Sequence, residues 1–400
     1  MWSPFRRVLF WCHLACGLSV GIVILIMSVT GVALTYQKEM QYWADTRHYR
    51  VTAPPGAARA SVADLITSVR AVDPAFAPMT ITWQSDDSAP VALTAGSKTL
   101  YVNPYTCEVF GQATGQGMRA FFTTMTNWHR YVAMPGERRA TGKALTGASN
   151  LIFLFIVLSG MYLWWPKVWN ALQFRNITWF RGGLRAKARE FNWHNTFGFW
   201  FALPLVFVVA SATVISYPWA SNAVYRAMGE APPEPAARGA RGGGPGGRAG
   251  GLGGRAADVA SRPAARGAEP AEGDAAALEL EQHVERARRY RPGWRSIALR
   301  MPTSAVAPVA FTIDGGDAGQ PHLRGTLTLD PESGAVRTWE DFSSQTPGRR
   351  LRTILRFAHT GEVGGVSGQT VAGIASFAGV MLVYTGMALS LRRFMAWRRR

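Results

Sequence analysis

Four of the seven histidines in this 400-residue chain, His13, His129, His194 and His359, each stand just ahead of a long apolar stretch. They form two matched pairs. Phe10, His13 and Gly17 spell F-x-x-H-x-x-x-G, and Phe191, His194 and Gly198 spell it again. His129 and His359 each precede a glycine-containing turn and a second kind of apolar helix. Two imidazoles facing each other from different helices supply both axial positions of a haem iron, and a bis-histidine iron with no open site transfers electrons rather than binding oxygen. In a helix the glycine lies one turn beyond the histidine on the same face, where the missing side chain lets a flat macrocycle approach the backbone. No C-x-x-C-H signature is present, so covalent haem attachment is excluded on that pattern. Two histidines alone make a poor zinc shell, and no acidic or thiolate residue recurs beside both pairs. His48, His283 and His322 lie in polar segments without equivalents and read as structural.

The elements that must position these residues are four apolar stretches, about Leu14 to Tyr36, Ala144 to Trp165, Thr196 to Tyr217 and Val371 to Leu391. Each is uncharged and approaches or exceeds the roughly 20 residues that cross a bilayer of about 30 Å. The first is too long for a secretory h-region and lacks a persuasive cleavage site, so it reads as a retained anchor. Basic residues cluster before the first helix (Arg6, Arg7), between the second and third (Lys167 to Arg189) and at the end (Arg392 to Arg400). The positive-inside rule places these three regions in the cytoplasm and the two long connections in the periplasm. The net charge of +18 then reflects topology and one basic loop, and nucleic acid is not an expected partner. Cys12, Cys16 and Cys107 are too few for a disulfide framework, and the tryptophans near the helix ends read as an interfacial belt.

The two halves repeat. Both run helix, periplasmic segment, histidine, helix; the second helix closes on Ser159-Gly160-Met161 in one half and the fourth on Thr385-Gly386-Met387 in the other. Each periplasmic segment is expected to hold a helix (Ser61 to Arg70 with an S-x-x-D capping box; Leu278 to Arg289) on a small antiparallel sheet, with hairpin turns at Asn103-Pro104 and Asp330-Pro331. Both halves start in the cytoplasm, so the repeat is parallel, with a pseudo-twofold along the membrane normal. His13 and His194 then meet near the cytoplasmic face, His129 and His359 near the periplasmic face. Gly229 to about Gly273, rich in Ala, Gly, Pro and Arg, is expected to be disordered.

The expected fold is therefore an α+β membrane protein: a four-helix transmembrane bundle from a parallel internal duplication, with two small periplasmic α/β lobes. Its parts are residues 1–37 (first helix), 38–120 (first lobe), 121–166 (histidine-bearing segment and second helix), 167–190 (basic loop), 191–218 (third helix), 219–348 (second lobe), 349–392 (histidine-bearing segment and fourth helix) and 393–400 (basic tail).

This order, with Ser159-Gly160-Met161-Tyr162-Leu163-Trp164-Trp165-Pro166-Lys167 closing the second helix, resembles the PepSY-associated transmembrane helix family. Within it the chain looks like bacterial inner-membrane proteins of iron uptake, including ferric-siderophore reductases. The resemblance implies PepSY-like lobes and two non-covalent haem b groups, with His13 and His194 as axial ligands of one and His129 and His359 of the other. It further implies reduction of a ferric siderophore on the periplasmic side. Some relatives carry a flavin and NADPH module; this chain lacks one, so a separate donor, a quinol or a cytoplasmic reductase, is expected. Two other readings stay open: the lobes restrain a protease or envelope partner while the helices only anchor them, or the haems serve a different enzyme.

Overall fold

The computed structural model describes residues 4–165, 170–233, 272–317 and 319–399. Most of the segment from Gly229 to Gly273, and Lys167 of the basic loop, lie outside the described residues. In chain order the helices are α1 (Pro4–Leu34), α2 (Gln37–Thr46), α3 (Val62–Val72), α4 (Gln116–Tyr131), α5 (Arg139–Trp164), α6 (Ala171–Thr178), α7 (Ala186–Ser216), α8 (Pro218–Ala227), α9 (Glu272–Tyr290), α10 (Pro347–Thr360) and α11 (Gly365–Arg398). The strands are β1 (Thr80–Gln84), β2 (Val91–Ala95), β3 (Lys98–Val102), β4 (Val109–Gln112), β5 (Ser296–Arg300), β6 (Val309–Asp314), β7 (Arg324–Leu329) and β8 (Val336–Asp341). They divide into a helical unit (Met1–Gln37, Phe121–Pro232, Pro347–Arg400) and a unit built on a sheet (Lys38–Ala120, Pro233–Thr346).

In the helical unit α1, α5, α7 and α11 are long and apolar enough to span a membrane. Even α5, with 26 residues, reaches about 39 Å at a rise of 1.5 Å per residue. They close a ring in which α1 and α7 each pack on both α5 and α11. Its centre is Val20, Ile24, Phe153, Val157, Leu205, Val209 and Ala375. Helices in lipid associate through close packing and hydrogen bonds rather than through the hydrophobic effect, and both devices are present. A Cβ added at Gly31, Gly373 or Gly379 would fall 3.2, 2.8 or 2.8 Å from the side chains of Ser376, Thr35 and Ser28, so small residues let α1 and α11 approach. Buried Asn150 of α5 donates to Val209 O (3.0 Å) and Thr213 Oγ1 (2.9 Å) of α7. At one end Arg6 caps the last turn of α5 through the carbonyls of Leu163 and Trp165, groups that a helix terminus leaves unsatisfied. At the same end Arg392 of α11 grips Glu190 of α7 with two bonds, 2.6 and 2.9 Å.

The sheet unit departs from two separate lobes. Its strands form one antiparallel sheet in the order β4-β3-β2-β1-β5-β6-β7-β8. The first four come from the segment after α1 and the last four from the segment after α8. They join where β1 pairs β5, with Ile81 opposite Leu299 and Trp83 opposite Ile297. An edge strand leaves a row of N–H and C=O groups unpaired, and β1 and β5 satisfy each other. Because their apolar residues lie on the same face, a single core runs beneath both sets of strands. It contains Leu65 and Val69 of α3 and Val284 and Ala287 of α9 together with Leu93, Phe311 and Leu327. Strand burial alternates as a one-sided sheet requires. The capping box at the start of α3 is formed: Ser61 Oγ accepts from Asp64 N and the Asp64 carboxylate accepts from Ser61 N.

Candidate functional site

The histidines are placed by two kinds of element. His13 and His194 do not precede their helices but lie inside α1 and α7, roughly two turns in from Pro4 and Ala186. The polar and basic residues ahead of each apolar stretch remain helical, extending the helix beyond the stretch that hydropathy marks. His129 and His359 fall in the last turns of separate helices, α4 and α10, and a turn then leads into α5 and α11. These two turns are tight in the same way. A Cβ added to Gly142 would overlap the carbonyl of Tyr131, and one added to Gly368 would overlap that of Gly361. Tyr131 and Gly361 each stand two residues after a histidine, so each glycine lets the following helix start against the end of the histidine-bearing one.

All four imidazoles are half-buried and all are held through Nδ1. His13 Nδ1 meets Ser159 Oγ on α5 at 2.9 Å, and His194 Nδ1 meets Thr385 Oγ1 on α11 at 2.9 Å. His129 Nδ1 lies 3.0 Å from Met27 O and 3.1 Å from Thr30 Oγ1 on α1, and His359 Nδ1 lies 2.9 Å from Val208 O on α7. A carbonyl only accepts, so Nδ1 of His129 and His359 must donate. The Ser159 hydroxyl donates to Ile156 O and that of Thr385 to a carbonyl of its own preceding turn, Met381 or Leu382. These hydroxyls therefore accept from His13 and His194. The proton sits on Nδ1 in every case, which leaves the Nε2 lone pair for a ligand. Among the described residues no hydrogen bond engages any of the four Nε2 atoms. Metal-bound histidines are commonly oriented this way, the second nitrogen donating to a carbonyl or hydroxyl that fixes tautomer and ring orientation.

The rings of His129 and His359 come together, with centroids 6.1 Å apart at 49°. Two metal–nitrogen bonds of about 2 Å plus the half-widths of the rings come to about 6 Å, so the spacing suits two imidazoles sharing one metal from opposite sides. His13 packs against Gly160 of α5 and His194 against Gly386 of α11, at the same end of the bundle. The glycines beside the histidines are consistent with a flat ligand. A Cβ on Gly17 would meet no protein atom within 4 Å and one on Gly198 only Leu382 Cδ2 at 3.8 Å, so helix packing does not require either glycine. Gly160 and Gly386 lie under the opposite rings, an added Cβ falling 3.3 Å from His13 Cε1 and 3.5 Å from His194 Cε1. The donor set, neutral imidazoles in an apolar bundle, fits haem iron with two axial nitrogens.

A family model described as the PepSY-associated TM region matches residues 10–393. The chain belongs to this family. Comparison with curated protein sequences yields no match. As a PepSY-associated TM protein it is a multi-pass membrane protein, with α1, α5, α7 and α11 as its spans.

The remaining candidate residues of this PepSY-associated protein are otherwise engaged. His283 Nε2 bonds Asp330 O at 2.9 Å in the sheet unit, and His48 Nε2 accepts from Arg47 Nε at 3.0 Å. The cysteines are free thiols. Among the described residues no group of three or more His, Cys, Asp and Glu side chains is arranged to hold a metal ion. The hydroxyl partners of the histidines are Thr30, Ser159 and Thr385, and Ser211 donates to the Val208 carbonyl that holds His359. Ser159-Gly160 and Thr385-Gly386 stood out only as marks of the repeat. Thr30 and Ser211 lie at the same offset from His13 and His194, a signal that points to them once it is sought.

Proposed function

We propose that the protein is an inner-membrane electron carrier holding two haem b groups, built by parallel duplication, which passes electrons outward and reduces a ferric siderophore in the periplasm. The observation that carries this reading is the common state of the four histidines: Nδ1 donating into a neighbouring helix and Nε2 free, in one pair near each end of the bundle. The matching offsets of Thr30 and Ser211, and the paired glycine contacts of Gly142 and Gly368, support the duplication.

Haem bound there would supply a one-electron couple, with His13 and His194, and His129 and His359, as the residues that would hold it. The apolar residues between them exclude water. The basic clusters at Arg6 and Arg7, from Arg181 to Arg189 and from Arg392 onward favour a cytoplasmic location for the His13 end. Electrons enter there from a separate donor, a quinol or a cytoplasmic reductase. Ferric iron gripped by the hard oxygen donors of a siderophore gains one electron at the His129 end. The ferrous product is held weakly and released, and this step needs no acid–base residue. Arg130, Arg352 and Arg356 stand on the histidine-bearing helices α4 and α10, where they favour an anionic chelate.

The test is the visible spectrum and haem content of the purified full chain, followed by stopped-flow mixing of dithionite-reduced protein with a ferric chelate. Two low-spin haems that reoxidise as Fe(II) appears are expected. Protein without a Soret band after expression with adequate haem overturns the reading. Haems that transfer no electron to any ferric chelate overturn the siderophore assignment and favour service to another enzyme.

A further inference from the structure

All four histidine contacts use one helical device: a hydroxyl three residues after a backbone carbonyl, followed by a small residue. The four copies are Met27 with Thr30-Gly31, Ile156 with Ser159-Gly160, Val208 with Ser211-Ala212 and Leu382 with Thr385-Gly386. In each the hydroxyl lies within hydrogen-bond distance of the carbonyl, at 3.1, 3.1, 2.9 and 3.2 Å. The hydroxyl residues are all at most 5% exposed. Such a serine or threonine satisfies itself within its helix, so satisfaction alone does not explain why an imidazole from another helix is aimed at each unit.

The units are used in two ways. At the His129 and His359 end the imidazole reaches the carbonyl itself, and His129 also lies against the Thr30 hydroxyl. At the His13 and His194 end it reaches the hydroxyl, forming a chain from imidazole N–H through hydroxyl to carbonyl. Each bond in such a chain polarises the next in a low-dielectric interior. Drawing the Nδ1 proton away raises the electron density on Nε2 and makes the ring a stronger donor, which favours the ferric over the ferrous state.

We infer that Ser159 and Thr385 are positioning residues that set the potential of the metal centre held by His13 and His194. The inference rests on the haem reading. At the other end a backbone carbonyl, which no substitution removes, holds each histidine, with the Thr30 hydroxyl also beside His129.

The experiment is spectroelectrochemistry with electron paramagnetic resonance on the full-length chain and its Thr385→Val, Thr385→Ser and Ser159→Ala variants. Valine keeps the β-branched shape and removes the hydroxyl. Thr385→Val and Ser159→Ala should each raise the potential of one centre and leave the other unchanged. Removing the hydrogen-bond partner of a metal-bound histidine changes metal affinity or activity about 10- to 100-fold, and a tenfold change in a one-electron equilibrium corresponds to about 59 mV. Thr385→Ser should restore the native potential and g-values, which a loss of packing alone would not predict. Loss of that one haem in Thr385→Val with recovery in Thr385→Ser is the stronger form of the same result. Two haems with native potentials in both Thr385→Val and Ser159→Ala overturn the inference and leave the haem reading intact. A wild-type protein without haem overturns both.

Discussion

The pairing of histidines makes a prediction about which losses add. On the proposed reading His129 and His359, with ring centroids 6.1 Å apart, serve one iron. Replacing either by alanine should abolish the same low-spin bis-histidine signal, and replacing both should remove nothing more. His129→Ala combined with His13→Ala should abolish both signals, because those residues belong to different pairs. The non-additivity within a pair and additivity between pairs is the signature of shared partners. Unfolding does not account for it. His129→Ala removes one hydrogen bond to Met27 O, worth about 1 kcal/mol net, and Met27 lies within α1, so its carbonyl keeps an intrahelical partner. That loss is small beside the roughly 5–15 kcal/mol that holds a typical domain together. The assay is the reduced-minus-oxidised spectrum with resonance quantitation of low-spin haem in detergent-purified single and double variants. A His129→Ala/His359→Ala protein that loses both low-spin haems, or a His13→Ala/His129→Ala protein that keeps one, refutes the pairing.

Other outcomes follow from the same contacts. Gly160→Leu places new atoms where a Cβ already falls 3.3 Å from His13 Cε1; it should displace that ring and remove the His13/His194 signal alone, and a native spectrum would contradict the packing. In the sheet unit, Leu299 is fully buried at the β1–β5 junction, so Leu299→Ala should cost about 2–5 kcal/mol in a thermal or denaturant melt, and a loss under about 1 kcal/mol would argue against one continuous core. Ser61→Ala should cost about 1 kcal/mol in the same melt through loss of the capping box, with Ser61→Thr close to wild type. The Asp330 carboxyl accepts from the Ser333 backbone N–H, then from Arg337, and is held below the ordinary carboxylate range. Its folded pKa lies below the unfolded value of about 3.9, so its stabilisation is complete above that value and fades as pH falls through the folded one. Asp330→Asn should therefore lower the melting temperature at pH 7 and flatten its decline in acid; an unchanged acid limb would show that the turn does not titrate.

Much of this architecture was legible in the sequence because it is written in local patterns. A membrane span needs about 20 uncharged apolar residues in a row, and four such runs appear with their boundaries blurred only where polar turns extend the helices, as before His13 and His194. The S-x-x-D box at Ser61 and the turns at Asn103-Pro104 and Asp330-Pro331 act within a few residues, so the helix α3 and the hairpins β3–β4 and β7–β8 could be placed in advance. Four histidines ahead of four apolar stretches needed only counting.

Contacts between distant segments were decided by the tertiary structure alone. Nothing in the period-two pattern of Thr80–Gln84 or Ser296–Arg300 says that one will hydrogen-bond to the other, because ladder bonds use backbone groups that every residue carries; pairing them turned two expected lobes into one sheet. For the same reason Met27 and Val208, which hold His129 and His359 by their carbonyls, carry no side-chain mark of that role. The sequence by itself determined that four imidazoles stand beside four membrane-length apolar stretches. Only the packed bundle decided which nitrogen of each imidazole is tied down and which is left to bind, since that depends on groups brought close by helix packing rather than by the chain.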